Sequence, residues 1–559
     1  MTYADEPVEI RLLADHASSP IWIGFDPVPF EHTRLSPELV ADLAAWAAQV
    51  EAWALADAPG GADALESLES LAGRSAGLAQ RLAAEVGNGF EVHTRDGEVD
   101  ARYRSRGVAT NRAAADALRA VAGGGTPAPA GASASTVPGE ARNWAGNLRY
   151  RAARIVRPTS VAELQAVLAE GGPVRVLGTR HTFNDLADTD GVLIETSGLP
   201  VVVDAGSAPG AVRISGSPRY GDLAPLLQAK GLALANLASL PHISVAGATA
   251  TGTHGSGDGL GSLSTAVRSL AFVGADGQPR FVQRGDADFA GSVVHLGALG
   301  VVAALELDVE PTYDVAQTVY DGPRWDAILE DLDAVTSLGT SVSVFTTWQS
   351  SDVADQLWVK RRTDVPWPGG ALQLDAVAAR LAARPAPAPR HPIMGVDAAA
   401  CTPQLGEPGP WFARLPHFRL EFTPSAGDEL QSEYLVPRAD AVAAIEAVRR
   451  LAPRIAPLLL VTEVRTVRAD DLWLSPAYGV DAVALHFTWK LDEPAVRAFL
   501  PDLEAALPST ARPHWGKVFT LPGDEVRRRY PRFDDFAALR ARVDPDRRFV
   551  NPYLERLGL

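Results

Sequence analysis

The 559-residue chain has a single cysteine, Cys401, and only 2 methionines. One thiol cannot close an intrachain disulfide, nor can it furnish a cysteine-rich zinc site or an iron–sulfur cluster. Long hydrophobic runs are missing as well. No stretch of about 18 or more apolar residues occurs, so no membrane-spanning helix is expected. The opening MTYADEPVEI lacks the basic start and apolar run of a secretory signal, and a cytoplasmic protein is expected. Positive charge is in deficit: 51 Lys and Arg stand against 68 Asp and Glu, a formal net charge of −17. A nucleic-acid binder needs a basic face to neutralise phosphates, so no nucleic-acid partner is expected. The basic clusters VKRRTD and VRRRYPR read as solvated surface. No pair of histidines has the i, i+4 spacing with an adjacent acid that marks a metal-binding helix, so no metal is expected. No GxGxxG opens a helix after a strand at the start, which disfavours the usual dinucleotide fold.

What is present is the composition of a soluble globular protein, 47% hydrophobic and 21% charged. The length calls for two or three domains. The composition changes sharply at 122–140, AGGGTPAPAGASASTVPGE. Small residues and prolines without periodicity cannot bury enough surface to fold, so this segment reads as a linker. Residues 1–121 before it read as a small α+β module. Strand-like EIRLLA and PIWIGF precede a helix that Ser36 caps, with Pro37 and Glu38 in its first turn. Leu39, Leu43, Trp46, Val50 and Trp53 form its apolar stripe. Further helices are expected near Leu78, Leu82 and Val86 and around NRAAADALRAV. Nothing in this module has the spacing of a catalytic or ligand set.

After the linker, Ser160 and Glu163 form a capping box for a helix whose apolar face includes Val161, Leu164 and Leu168. A strand then runs into VRVLGTRHTFND, residues 174–185, where an imidazole, His181, stands in a tight turn at the strand's mouth. Short β segments GVLIET, VVVDAG and AVRISG alternate with a helix striped by Leu223, Leu226 and Leu227, an α+β texture. The run ASLPHISVAGATATGTHGSGDGLGSL, 238–263, follows, crowded with glycine and hydroxyl residues. Glycine lets backbone approach closely, and successive N–H groups can cradle a pyrophosphate, though a flexible loop has the same composition.

Together the two loops resemble the vanillyl-alcohol-oxidase-type family of FAD enzymes. From about Asn143 onward the chain is similar, more narrowly, to alditol (xylitol) oxidases. The resemblance rests on NWAGN, LGTRHTFND, LASLPHISVAGATATGTHGSG, LQSEY, TEVRTV, WLSPAYG, HFTW and HWGKVF, in that order. It implies a two-subdomain FAD-binding domain over 141–312 and an inserted α+β substrate cap over 313–525. A C-terminal segment, 526–559, returns to the FAD domain. In that family the histidine of the first loop is joined covalently to the flavin, and His181 takes its place. No cysteine occurs in 238–263, so a single histidyl link is implied. Gly178, Thr179, Arg180, Thr182 and Asn184 match cofactor-contacting positions of the first loop. Ser239, Ser244, Gly247, Thr251, Gly252, His254 and Gly255 do so in the glycine-rich run, and Val301 beyond it. Two positions depart from the commoner pattern: Thr182 stands where serine is usual, and Arg180 replaces a frequent glycine.

On the substrate side, Glu463 and Arg465 in LLLVTEVRTV are two apart and face the same way on a strand, as do His486 and Thr488 in VALHFTWK. Buried polar groups of this kind are costly without partners, and a polyol pocket gives them a use. The resemblance assigns substrate contacts to Ser239, Gln431, Glu463, Arg465, Thr488 and Lys517. Arg465 and Lys517 would polarise the reacting hydroxyl, and His486 is the candidate proton acceptor. Ala238 stands where the family has a small residue, leaving room for O₂. The implied activity is oxidation of a terminal CH–OH of a polyol to the aldehyde, O₂ becoming H₂O₂, by a monomer. Two alternatives are a sugar-1,4-lactone oxidase or dehydrogenase on the same scaffold, and a non-catalytic flavin-binding sensory protein.

Overall fold

The computed structural model describes residues 141–559 apart from 206–207, 368–369 and 423–428. Before these it describes residues 8–119, with interruptions at 13–19, 24–25, 29–32, 34, 56–61, 89, 97–98, 106–108, 112–113 and 116–117. The segment read as a linker, 122–140, lies outside the described residues. The chain divides into two compact units, Met1–Ser133 and Ala134–Leu559. No described helix is long and apolar enough to cross a membrane.

In the first unit, strands β1 (Val8–Leu12), β2 (Ile21–Ile23) and β3 (Asp26–Pro27) precede helices α1 (Pro37–Leu55) and α2 (Ala62–Val86). Strands β4 (Phe90–Asp96) and β5 (Val99–Tyr103) follow. The sheet order is β3-β2-β1-β4-β5, with β1 and β4 parallel. Leu39, Leu43 and Trp46 of α1 and Leu78, Leu82 and Val86 of α2 pack on Ile10, Leu12 and Val92. Ser36 Oγ accepts from Leu39 N at 3.4 Å, capping α1 as its sequence requires. The side chains of Val50 and Trp53 lie outside the described residues. Of the helix expected over 111–121, residues 114–115 and 118–119 are helical.

The second unit opens with β6 (Arg154–Val156), α3 (Val161–Ala169), β7 (Val174–Leu177) and β8 (Val192–Glu195), paired in parallel in the order β6-β8-β7. Ser160 Oγ accepts from Glu163 N at 3.1 Å. The reciprocal half of the box is displaced by one residue: the Glu163 carboxylate takes Thr159 N at 2.7 Å and Thr159 Oγ1 at 2.9 Å. Next come β9 (Val203–Asp204), β10 (Ala211–Ser215), α4 (Tyr220–Ala229), β11 (Leu232–Ala233) and α5 (Val245–Ala250). Strands β9 and β10 join β12 (Val267–Val273), β13 (Pro279–Gln283) and β14 (Val301–Asp308) in an antiparallel sheet, β13-β12-β14-β10-β9. Strand β11 pairs separately with β15 (Glu310–Pro311). On α4 the buried face is Tyr220, Leu223, Ala224 and Leu227, whereas Leu226 is 46% exposed. Leu226 is not part of the stripe, because 100° per residue carries it past the edge of a face centred between 223 and 224.

A large antiparallel sheet completes the unit. Its strands are β16 (Asp314–Asp321), β17 (Ser341–Thr346), β18 (Gln356–Arg362), β19 (Arg384–Pro385), β20 (Pro408–Pro410), β21 (Glu429–Pro437), β22 (Leu459–Val467), β23 (Ala482–Lys490) and β24 (Arg512–Pro513). The order is β19-β16-β18-β17-β22-β23-β21-β24, with β20 beside β16. One face is apolar: Leu430, Tyr434, Val464, Val483, Leu485 and Phe487 pack on Ile445 and Val448 of α6 (Ala441–Arg450) and Phe499 and Leu503 of α7 (Glu493–Ala506). The alternate residues of the same strands project from the other face.

The chain end returns to the parallel sheet. Val174 N donates to Arg548 O at 2.8 Å, and Arg175 Nη1 to Phe549 O at 2.7 Å. Asn551 Nδ2 donates to the carbonyls of Asp185 (2.9 Å), Leu186 (3.2 Å) and Asp188 (2.8 Å), while its Oδ1 caps the last helix by accepting from Leu554 N at 3.1 Å. This one buried amide ties the C-terminus to the loop that carries His181. Asn551→Ala is expected to lower stability by about 2–4 kcal/mol, read by denaturant unfolding, because buried carbonyls and a helix end lose their partner together.

Candidate active site

A cavity with about 1720 Å³ of space free of protein atoms, solvent-open space included, lies between the His181 loop and the polar face of the large sheet. One wall is the turn after β7. Gly178 lies so near Ser244, at the start of α5, that an added Cβ would stand 2.8 Å from its Oγ, and the same holds at Gly247. Backbone is therefore bare at both places. Ser244 N donates to Thr179 Oγ1 at 3.1 Å, joining the two loops. Arg180 adopts φ 65°, the left-handed region, and its guanidinium reaches Glu195 at 3.2 Å. His181 stacks on Trp144 with centroids 5.6 Å apart and planes at 17°. Both its ring nitrogens are buried without a partner of hydrogen-bond geometry. Burial, with smaller contributions from His242 and Lys517, lowers its pKa to about 4 against a slight upward pull from the Thr179 backbone. The imidazole is therefore neutral at pH 7.

The opposite wall follows from strand register. Glu433 on β21 faces His486 on β23, which faces Glu463 on β22, which faces Phe345 on β17. Gln431 faces Thr488 in the adjacent row. Directly opposed residues share a face, so one polar surface is built across three strands. Arg465 Nη2 donates to Glu433 Oε1 at 2.5 Å and Nη1 to Ser239 Oγ at 3.3 Å, and its Nε lies 3.6 Å from Glu463 Oε2. Burial alone would raise the pKa of either carboxylate; the Arg465 charge, seconded by the surrounding imidazoles, outweighs it and holds both well below the usual range. His254 Nε2 also lies 3.2 Å from Glu433 Oε1.

Gln431 Nε2 donates to Glu429 Oε1 at 2.6 Å, which fixes the direction of the amide. Its Oε1 then accepts from the Lys517 ammonium and from His486 Nε2 at 3.1 Å. His486 Nδ1 is left buried and without a partner, a bare lone pair in the cavity wall. Burial lowers the pKa of His486 to about 3 and that of Lys517 to about 8. The site thus offers two cations, two carboxylates and a neutral base.

Of the residues singled out in the sequence, Gly178, Thr179, Arg180, His181 and Thr182 line the cavity, as do Ser239, Ser244, Gly247, Thr251 and His254. So do Gln431, Glu463, Arg465, His486, Thr488 and Lys517, and Ala238. Four lie behind the wall. Val301 turns into the core beside Leu164 and Phe549, strand alternation leaving Gly300 and Val302 to line the cavity. Asn184 spends its amide on the carbonyls of Trp515 and Lys517, both at 2.8 Å. Gly252 packs against Pro476 and Gly255 against Asn236. Glu433 and His417 are wall residues that the motifs did not single out. Glu433 was within reach of the same alternation, two places after Gln431. His417 sits in a loop without periodicity.

Residues 152–282 match the family described as FAD binding domain, and residues 428–557 the one described as D-arabinono-1,4-lactone oxidase. Residues 8–96 match the Serratia CdiI immunity protein-like family. The chain is 46% identical over 424 residues to an alditol oxidase of Streptomyces sp., covering 74% of this chain and 98% of that protein. It is 33% identical over 437 residues to an L-gulono-1,4-lactone dehydrogenase of Mycobacterium tuberculosis, again covering 74% and 98%. The cholesterol oxidase of B. sterolicum has the same fold, with a TM-score of 0.59 at 15% identity over 75% of this chain and 96% of that one. Fold and site together define an FAD-dependent oxidoreductase of the vanillyl-alcohol-oxidase type. Within that class the chain belongs to the alditol oxidase family.

The residues present fit the cofactor. Gly178 and Gly247 present bare backbone along the cavity on either side of Ser244, and the unpartnered His181 nitrogens are buried in the same wall.

Proposed function

We propose that the protein oxidises the terminal primary alcohol of a xylitol- or sorbitol-type polyol to the aldehyde, with O₂ reduced to H₂O₂. The observation that carries this reading is the ring of donors and acceptors on one sheet face, facing the His181 loop across a single cavity. FAD, when bound, would supply the two-electron chemistry: a hydride acceptor for the carbinol carbon and a route for the electron pair to O₂. The protein's share is positioning and charge. Arg465, held by Glu433, and the Lys517 ammonium stabilise negative charge on the reacting oxygen, which lowers the pKa of the hydroxyl. That assistance matters because His486, buried and of low pKa, is a weak base: its Nδ1 lone pair takes the proton only from an acidified hydroxyl. Glu463, Thr488 and Gln431 supply acceptors and donors for the remaining hydroxyls. His181 is the proposed covalent anchor; a neutral imidazole is the nucleophilic form, and burial keeps it so. A lactone-oxidising alternative is favoured by the match of 428–557 to the D-arabinono-1,4-lactone oxidase family. The immunity-protein-like match of the first unit points to a separate role for it.

Anaerobic mixing of the flavin-loaded protein with xylitol or sorbitol is expected to bleach the visible flavin band, with aldonolactones much slower; the reverse order would establish the lactone reading. After acid denaturation, yellow colour is expected to stay with the wild-type polypeptide and to be released from His181→Ala. The Lys517 cation exists below its pKa of about 8 and is lost above it, so kcat/KM should hold level up to that pH and then fall. Lys517→Arg, charged throughout, is expected to remove that alkaline limb.

A further inference from the structure

Behind Glu463 runs a chain of buried groups that the proposed reaction does not use. Lys360 on β18 is 1% exposed. Its Nζ lies within hydrogen-bond distance of Leu415 O at 2.5 Å, Pro416 O at 3.2 Å and His417 Nδ1 at 3.0 Å, and burial, opposed by the Glu463 charge, pulls its pKa down to about 7. The Glu463 carboxylate, ionised, only accepts, so the neutral ring of His417 keeps its lone pair on Nδ1 and its proton on Nε2. That nitrogen donates to Glu463 Oε1 at 2.8 Å. The other tautomer would set two lone pairs against each other. The ring is wedged against Phe345 and Trp358, with centroids at 5.5 and 5.2 Å and both planes at 71°. His417 N also donates to Ser239 O at 3.0 Å, which fixes the loop against the cavity wall. The second carboxylate oxygen, Oε2, has only the longer 3.6 Å contact with Arg465.

We propose that Lys360 and His417 are positioning residues: the lysine donates to the bare Nδ1 and so holds the ring in place, and the histidine pins one oxygen of Glu463 so that the other is presented to the hydroxyls of the polyol. This rests on the reading of the site as a polyol pocket. Lys360 acts only through His417, which touches Glu463 and not the reacting carbon. Losses should therefore fall more on KM than on kcat.

The test uses the flavin-loaded full chain with xylitol. His417→Phe keeps a ring between Phe345 and Trp358 but removes the donor, and is expected to raise KM roughly 10- to 100-fold, the usual consequence of losing a hydrogen bond to a charged group. Lys360→Met should raise KM by less, and adding it to His417→Phe should change nothing further, since its route of action is already gone. His417→Gln, which restores an N–H donor, should recover much of the loss. In ¹⁵N-histidine-labelled protein, the His417 signals should show a protonated Nε2 and a bare Nδ1 in wild type, and the Nδ1 signal should shift on loss of its donor in Lys360→Met. Additive losses in the double variant, an unchanged KM in both single variants, or a proton on Nδ1 in wild type would overturn the proposal. If xylitol fails to reduce the wild-type flavin at all, the polyol reading falls by itself, and the Nδ1 signal alone then decides whether Lys360 holds His417.

Discussion

A charge taken out of water has to be met by an opposite charge within a few ångström, and the Arg465 cluster obeys that constraint at the centre of the cavity wall. Arg465 is 7% exposed and reaches both Glu433 and Glu463. Strand register makes this possible. Glu433 and Glu463 flank His486 in one row across β21, β23 and β22, and Arg465 lies one step along β22. Its own cross-strand neighbour is Ala484, whose methyl group leaves the space through which the guanidinium crosses β23 to Glu433. A slip of one residue would turn the whole set into the apolar layer formed with α6 and α7, where no charge has a partner. The apolar face and the ionic face therefore enforce each other.

The same logic of paired polar groups sets the distance between the two walls. Residues 514–518 bridge them with backbone bonds: His514 N donates to Glu433 O at 2.9 Å, Val518 N to Gln431 O at 2.8 Å, and Phe183 N to Gly516 O at 2.8 Å. Asn184 closes the bridge from the loop side. Lys517 thus hangs from a segment fixed at once to β21 and to the turn that carries His181. The placing of its ammonium over the Phe183 ring, 5.0 Å from the centroid, follows from backbone geometry rather than from the flexible side chain.

Elements whose shape repeats were legible in the sequence. Alternation put Glu463 with Arg465 and His486 with Thr488 on shared faces, and Ser160 and Ser36 marked helix starts. Leu226 was misplaced because a stripe of three leucines does not say where the face ends. Families of loops are recognised by their residues, not by a period, so which loop residues line the cavity was not legible: Asn184, Gly252 and Gly255 serve the packing of protein on protein behind it. The Lys360–His417–Glu463 chain joins positions 57 and 46 residues apart on three different segments, and only the folded sheet brings them together.

Arg180 shows how firmly the loop is specified. A left-handed backbone costs a side-chain-bearing residue roughly 1–2 kcal/mol, which is why glycine is the easier choice there. Arginine occupies the position at φ 65°, offset in part by its ion pair with Glu195 and by the 2.8 Å bond from Trp144 N to Arg180 O. That last bond sets Trp144 beside the turn, and Trp144 is the residue on which His181 stacks. The strained residue is therefore coupled to the ring it precedes. Local preference alone would have relaxed the turn; the turn persists because the platform for His181 is built through the carbonyl of Arg180, and any conformation that relieved the strain would withdraw that support.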